Sequence, residues 1–292
     1  MRIGLQMPVF SHAETTQLAT WIKDVAQTAD QGGFASLWVM DHFFQLGSWL
    51  GPAEDPMLEG YSTIHYVAAL TEQARLGLLV GGVIYRHPAI VIKMVTGLDV
   101  LSSGRAYMGI GAAWYEHESQ SLGLPFPSMK ERFEQLEDIL RLAHHMWSGD
   151  TSAFEGKQFT LPYPYSNPQP LTQPHPPILI GGMGEKKTLR YVAQYGDACN
   201  FFGGTPNDEL SRKLDVLKGH CEAVERPYDE IEKTILETLD LEGGQTATDV
   251  VIRVQQLGEL GFEHVIFNIK HAYDAHTIEM LVKDVLPEVS NL

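Results

Sequence analysis

Short apolar runs, rich in β-branched residues, alternate along this chain with longer stretches whose apolar positions recur at three- and four-residue spacing. The first pattern suits strands buried on both faces, the second amphipathic helices. The runs predict strands over 3–7, 36–40, 76–84, 106–111, 178–181, 198–202, 233–239 and 265–269. Between and after them, helices are expected over 14–31, 62–72, 88–101, 129–147, 184–194, 207–224, 247–258 and 275–285. Eight strand–helix pairs in alternation indicate βαβ units around a parallel sheet. An open doubly wound sheet could also hold eight strands, but its edges would need covering, and closure into a (β/α)8 TIM barrel removes them. Gly32-Gly33 is placed to end the first helix, and Thr205-Pro206 and Thr248-Asp249 to start the sixth and seventh.

Two stretches break the rhythm. Segment 149–177 carries Pro162, Pro164, Pro168, Pro170, Pro174, Pro176 and Pro177, which rules out a regular helix or a central strand there. It reads as a Pro-rich excursion between the fourth helix and the fifth strand. Segment 43–61, rich in Gly, Pro and aromatic residues, directly follows the second strand. In a barrel that location is the C-terminal face, where active sites form, so the segment is expected to wall or cover a pocket.

Composition narrows the class. The 292 residues, 44% hydrophobic and 20% charged, suit a single barrel domain over 1–292. No apolar run approaches the ~20 residues that cross a bilayer, and the N-terminal strand lacks the features of a signal peptide. Cys199 and Cys221 are too few for a disulfide framework and suit a reducing cytoplasm. A net charge of −16 argues against nucleic-acid or anionic-membrane partners. A cytoplasmic protein acting on a small molecule is the expectation.

Generic motifs mostly fail. Gly109-Ile110-Gly111-Ala112-Ala113-Trp114 opens like a dinucleotide fingerprint, but Trp stands where the third Gly or Ala belongs. His117-Glu118 opens a zincin-like pattern, yet Ser121 occupies the second His position. His144 and His145 project about 100° apart on a helix and cannot chelate together, and neither cysteine has a partner at ligand spacing, so no metal is expected. No Gly-x-Ser-x-Gly elbow supports serine hydrolysis.

What remains is a set of residues at strand C-termini: Asp41-His42, Gly81-Gly82, Gly111-Ala112-Ala113, Gly181-Gly182-Met183-Gly184, Asn200 and Lys270. Small residues there leave room for a flat ligand across the barrel mouth. The Gly181–Gly184 turn, feeding a helix, offers free N–H groups and a helix dipole to an anion, with Lys186, Lys187 and Arg190 behind it. A competing anion loop is 242–246, after the seventh strand. Lys270 would suit a Schiff-base lyase or aldolase, provided its setting is desolvated.

The phrases RLGLLVGGVIYRHP (75–88), KMVTGLDVLSSGRAYMGIGAAWYEHE (93–118), LWVMDHFF (37–44), ILIGGMGEKKTLRYVAQYGDACNFF (178–202) and PFPSMKERFEQLEDIL (125–140) resemble the luciferase-like monooxygenase superfamily, most closely its deazaflavin-dependent oxidoreductases. The resemblance implies an oxidoreductase that moves a hydride between coenzyme F420 and a small organic substrate. FMN-dependent monooxygenation and a non-catalytic flavin-binding barrel are the alternatives. It further implies a strand bulge with a non-prolyl cis peptide at Leu79-Val80, followed by Gly81, backing the cofactor ring. The phosphate would rest on Gly182, Met183 and Gly184, next to Gly181. Asp41 would reach the ring's polar edge, His42 would exchange a proton with substrate, and Gln6, Ala112, Ala113 and His117 would complete the surroundings. Arg86 or the basic residues behind Gly184 would offset an anionic cofactor tail. Sugar-phosphate dehydrogenases of the superfamily carry Glu where this chain has Trp114 and Trp where it has Leu46, which argues against a glucose-6-phosphate substrate. A homodimer is implied as well.

Overall fold

The computed structural model describes residues 1–10, 13–47, 50–271 and 273–290. Nine parallel segments form one sheet: β1 (Arg2–Met7), β2 (Ser36–Val39), β3 (Arg75–Leu78), β4 (Gly81–Gly82), β5 (Met108–Gly111), β8 (Ile178–Gly181), β9 (Ala198–Phe202), β10 (Glu232–Leu239) and β11 (His264–Ile269). Their order is β3-β2-β1-β11-β10-β9-β8-β5-β4. β3 and β4 are two halves of one strand, interrupted at 79–80. Leu76 of β3 bridges to Ala106 just before β5, which joins the two ends of the sheet. The result is the eight-staved (β/α)8 barrel that the alternation predicts, with all eight strands at their expected places.

The helices are α1 (Leu18–Gln31), α2 (Gly60–Leu70), α3 (Pro88–Leu101), α4 (Glu116–Ser121), α5 (Met129–Trp147), α6 (Thr188–Tyr195), α7 (Asn207–Ala223), α8 (Ala247–Glu259), α9 (Ala275–Asp284) and α10 (Leu286–Val289). α3 and α5 have their expected bounds because both starts are written locally. Pro88 occupies the first turn behind the His87 cap, and Ser128 with Glu131 forms a capping box. Other starts differ from expectation. Thr246, not Thr248, caps α8, pairing with Asp249, and α7 starts behind Pro206 without a side-chain cap. α6 begins at Thr188, four residues beyond the expected Gly184. A 3-10 turn over Thr15–Gln17 precedes α1.

Two apolar shells hold the barrel. The outer one lies between staves and helices and includes Leu5, Leu37, Leu76, Ile110, Val192, Phe201 and Phe267. The inner one fills the barrel with Trp38, Leu79, Tyr107, Leu179, Ala198 and Ile266. Each large side chain so buried contributes roughly 1.5–3 kcal/mol. The N-terminal floor of the barrel is polar but satisfied. His264 joins Glu232 (2.7 Å) to Ser36 (2.9 Å), the Trp38 indole donates to Ser36 (2.6 Å), and the Tyr107 hydroxyl donates to Glu232 (2.6 Å). Ser36 and His264 are buried and the Glu232 side chain is only 12% exposed, so the cluster serves to pair polar groups and offers no accessible serine nucleophile.

The Pro-rich segment contains an unexpected hairpin, β6 (Phe154–Glu155) with β7 (Thr160–Leu161), and cis prolines at 168 and 174. Buried carboxylates pin it to the helices. Asp138 of α5 accepts the N–H groups of Lys157, Gln158 and Phe159, and Asp99 of α3 accepts those of Leu171 and Thr172. Among the described residues no helix is long and apolar enough to cross a membrane.

Candidate active site at the barrel mouth

Asp41 and His42 leave the C-terminal end of β2 in different roles. The Asp41 carboxylate is closed to solvent. It accepts two hydrogen bonds from Arg86, at 2.8 and 2.7 Å, and one from the Gly82 N–H at 3.0 Å. Arg86 also binds Glu59, the N-cap of α2. The Asp41 side chain, with no exposure, is thus paired within the protein by Arg86 and the Gly82 N–H. Arg86 is likewise committed to two carboxylates and is not a counter-charge for a cofactor tail.

The His42 ring is the accessible partner. Its Nδ1 lies 3.1 Å from Oε2 of Glu118, a fully buried carboxylate on α4. The Tyr85 hydroxyl donates to the same oxygen at 2.6 Å. The other oxygen accepts the backbone N–H groups of Phe43 and Phe44. Burial alone would push the Glu118 carboxyl up, but the hydrogen bonds from His42, Tyr85 and Phe43 hold it below the usual range. Trp114 and Tyr115 meet the imidazole edge-on, with ring centroids 5.9 and 6.1 Å away, and Trp114 is 57% exposed. His42 is thus flanked by aromatic rings and keeps 13% of its side chain exposed.

The interrupted third stave lies beside this pair. The Leu79–Val80 peptide is cis. Gln6, almost wholly buried, donates to the Leu79 carbonyl at 2.9 Å and accepts from Asn268 at 3.3 Å, so it braces the bulge from inside the barrel. Leu79 joins the inner shell, while Val80 is half-buried. A Cβ on Gly111 or Gly181 would come within 3.0 or 2.7 Å of the Val80 methyls. The small residues at 111 and 181 thus also make room for the Val80 side chain. Gly81 is buried against the Gly109 carbonyl. Ala112 and Ala113 are half-buried, the Ala113 carbonyl accepting from Arg132 at 2.6 Å, and His117 is exposed beside Tyr115.

The loop after β8 runs 182–187 before α6 begins, so Gly184 is not at a helix N-terminus. The Gly182 N–H is already donated to Asn200 O, at 3.2 Å, and its φ of 113° is a backbone state that L side chains rarely adopt. Lys213 reaches the Met183 carbonyl and His220 the Glu185 carbonyl, which fastens the loop to α7. Lys187 and Arg190 lie against the rings of Phe133 and Tyr191.

The rival loop at 242–246 closes on Asp240, which accepts the Gly243 N–H and faces Lys270 and His271. An anion there would meet a carboxylate. Lys270 is half-exposed and 2.6 Å from Asp240, so it lacks the desolvated setting of a Schiff-base lysine. A cleft of about 560 Å3, between the loops after β10 and β11 and helix α9, contains none of the residues named at the mouth. Of segment 43–61, residues 48 and 49 lie outside the described residues. The rest is held by Gln45, whose amide donates to the Pro56 carbonyl.

Sequence reasoning missed Glu118, Tyr85 and Arg86 as partners of the mouth residues. Glu118 sits on a six-residue helix, too short to show a period, and the failed zincin pattern at His117-Glu118 was its only local signal.

The sequence matches the luciferase-like monooxygenase family over residues 1–239. It is 31% identical, over 219 residues, to an F420-dependent glucose-6-phosphate dehydrogenase of Kineococcus radiotolerans, covering 73% of this chain and 62% of that one. It is 24% identical to an FMNH(2)-dependent dimethylsulfone monooxygenase of Pseudomonas putida, covering 69% and 53%. The chain thus spans less than two thirds of these relatives' length. The fold superposes on an F420-dependent secondary alcohol dehydrogenase with a TM-score of 0.82 at 16% identity, covering 99% of this chain and 98% of that one. At that identity the likeness speaks to the fold, but the family match spans most of the barrel: the chain belongs to the luciferase-like monooxygenase family.

Proposed function

We propose that the chain is an oxidoreductase that moves a hydride between coenzyme F420 and a small organic substrate, with His42 exchanging the accompanying proton. One observation carries this reading. An imidazole just past the C-terminal end of a barrel stave is held through Nδ1 by a buried carboxylate and keeps 13% of its side chain exposed, beside a braced strand bulge. An imidazole can give or take a proton near neutral pH.

The residues at the mouth fit a planar cofactor. The exposed face of Val80 offers a backing surface, flanked by the backbone of Ala112 and Ala113. Asn268, 8% exposed near the C-terminal end of β11, has a side-chain oxygen without a hydrogen-bond partner, which suits an N–H on the polar edge of a ring. The 182–184 loop would take the phosphate. When bound, a deazaflavin supplies a carbon centre that gives or takes hydride and activates oxygen poorly; the protein supplies orientation and the proton.

The F420-dependent glucose-6-phosphate dehydrogenases among the relatives support the cofactor more than the substrate. Trp114, exposed beside His42, favours an apolar or planar alcohol, ketone, enone or imine over a sugar phosphate. The cytoplasmic homodimer implied by resemblance belongs to the same reading. A second reading, FMN-dependent monooxygenation, draws on the dimethylsulfone monooxygenase likeness.

Titration of the apo-protein with the deazaflavin and with FMN, following tryptophan fluorescence, separates the two, since Trp114 lies at the mouth. Tight deazaflavin and weak FMN binding is expected. The reverse preference moves the chain to the monooxygenases, and binding of neither overturns the site.

A further inference from the structure

We propose that Glu118 is the positioning residue of this site: it fixes the tautomer of His42, so that Nδ1 carries the proton and Nε2 faces the mouth as a proton acceptor. The inference deepens the reading of His42 above and rests on it for its catalytic consequence, but not for its geometry.

A carboxylate offers about four lone-pair positions and no donor. All four of Glu118 are in use, and the division between its oxygens is informative. Oε1 accepts two backbone N–H groups, from Phe43 and Phe44, which can only donate. Oε2 accepts from the Tyr85 hydroxyl and faces His42 Nδ1. An ionised carboxylate at that position makes Nδ1 the donor, which leaves the neutral ring unprotonated at Nε2. Edge-on contacts with Trp114 and Tyr115 resist rotation of the ring out of this pose.

The same carboxylate thereby ties the proton-exchanging ring to the start of the loop at 43–47 and to the Tyr85 turn after β4. Its partners follow the second and third staves. With a hydroxylic substrate, Nε2 would accept the O–H proton while the imidazolium kept its Nδ1–H on Glu118. With a carbonyl substrate it would return that proton to the oxygen. A bound deazaflavin would take the C–H hydride in the first direction and supply it in the second.

The division also predicts what an isosteric amide does. In Glu118→Gln the side-chain oxygen must stay opposite the Phe43 and Phe44 N–H groups. The NH2 group then replaces Oε2 and donates to Nδ1, which moves the ring proton to Nε2. The amide inverts the tautomer without removing bulk.

The experiment is two-bond 1H–15N correlation on histidine-labelled apo-protein above the titration of the ring, with His42 assigned among the twelve histidines by its absence in His42→Gln. Wild type should show a protonated Nδ1 and an unprotonated Nε2, Tyr85→Phe should keep that pattern, and Glu118→Gln should reverse it. Turnover by Glu118→Gln should fall about a hundredfold, the scale of a lost acid–base partner, with deazaflavin affinity near that of wild type. A wild-type ring protonated at Nε2 overturns the proposal even if Glu118→Gln does not fold, as does a Glu118→Gln ring with an unchanged tautomer. Failure to bind deazaflavin would instead strike the functional reading and leave the tautomer result standing.

Discussion

Arg86 closes both of its terminal nitrogens on the Asp41 carboxylate, 45 residues away in the chain, and draws the end of the second stave onto the interrupted third. Asp41 has no exposure, and the Arg86 side chain is 13% exposed. Breaking such a pair leaves a buried charge without compensation, at a cost of roughly 3–5 kcal/mol. Arg86→Met should therefore lower unfolding stability by about that amount, read from urea midpoints. Arg86→Lys should fall between, since it keeps the charge and loses the planar fork. A loss below about 1 kcal/mol for Arg86→Met would mean that the pair is not the strut described here.

A Cβ on Gly182 would make only ordinary contact with Thr188, at 3.6 Å, but the φ is 113°. An alanine there meets strain, not collision, at a cost of about 1–3 kcal/mol. The 182–184 loop should shift, with deazaflavin affinity falling about tenfold, equivalent to ~1.4 kcal/mol. Unchanged affinity in Gly182→Ala would remove this loop from the cofactor site.

Acid stability should be sensitive to Glu232 on the barrel floor. Burial would raise its carboxyl, but contacts from His264, Arg2 and Tyr107 bring it down to about 2. A carboxyl depressed by folding contributes stability above its unfolded value, near 4.3, and that contribution is lost as pH falls towards about 2. The contribution is on the order of 3 kcal/mol. Glu232→Gln should flatten the decline of the urea midpoint across this window and weaken the protein at neutral pH. A variant that retains the wild-type acid slope would assign that slope to other carboxylates.

Glu237 on β10 should behave in the opposite sense. Burial raises its carboxyl, and Arg253 offsets this only in part; one side-chain oxygen has no hydrogen-bond partner. A carboxyl raised by folding favours the native state at low pH and weakens it as pH rises through the folded value. Glu237→Gln should gain stability relative to wild type as pH rises above the ordinary carboxyl range, near 4.3. Greater loss in the variant at the higher pH would show that the Arg253 pair outweighs the burial cost.

The sequence by itself determined the staves, most helices and the end of the barrel at which the chemistry gathers. Those features follow from local periodicity and capping, which is why α3 and α5 have their expected limits while α4, a single short turn of helix, is absent from the pattern. It also named His42, because a strand's C-terminal residue must lie at the mouth once the sheet closes. What the side chains do there was decided by tertiary structure. His42 and Glu118 are 76 residues apart, and only closure of β3 onto β5 brings α4 over the second stave. Asp41 turns inward because Arg86 and the Gly82 N–H meet it there, and Gly111 and Gly181 are small because Val80 leans on them. Hydrogen-bond donors choose their acceptor by distance in the folded barrel, which spacing along the chain does not encode.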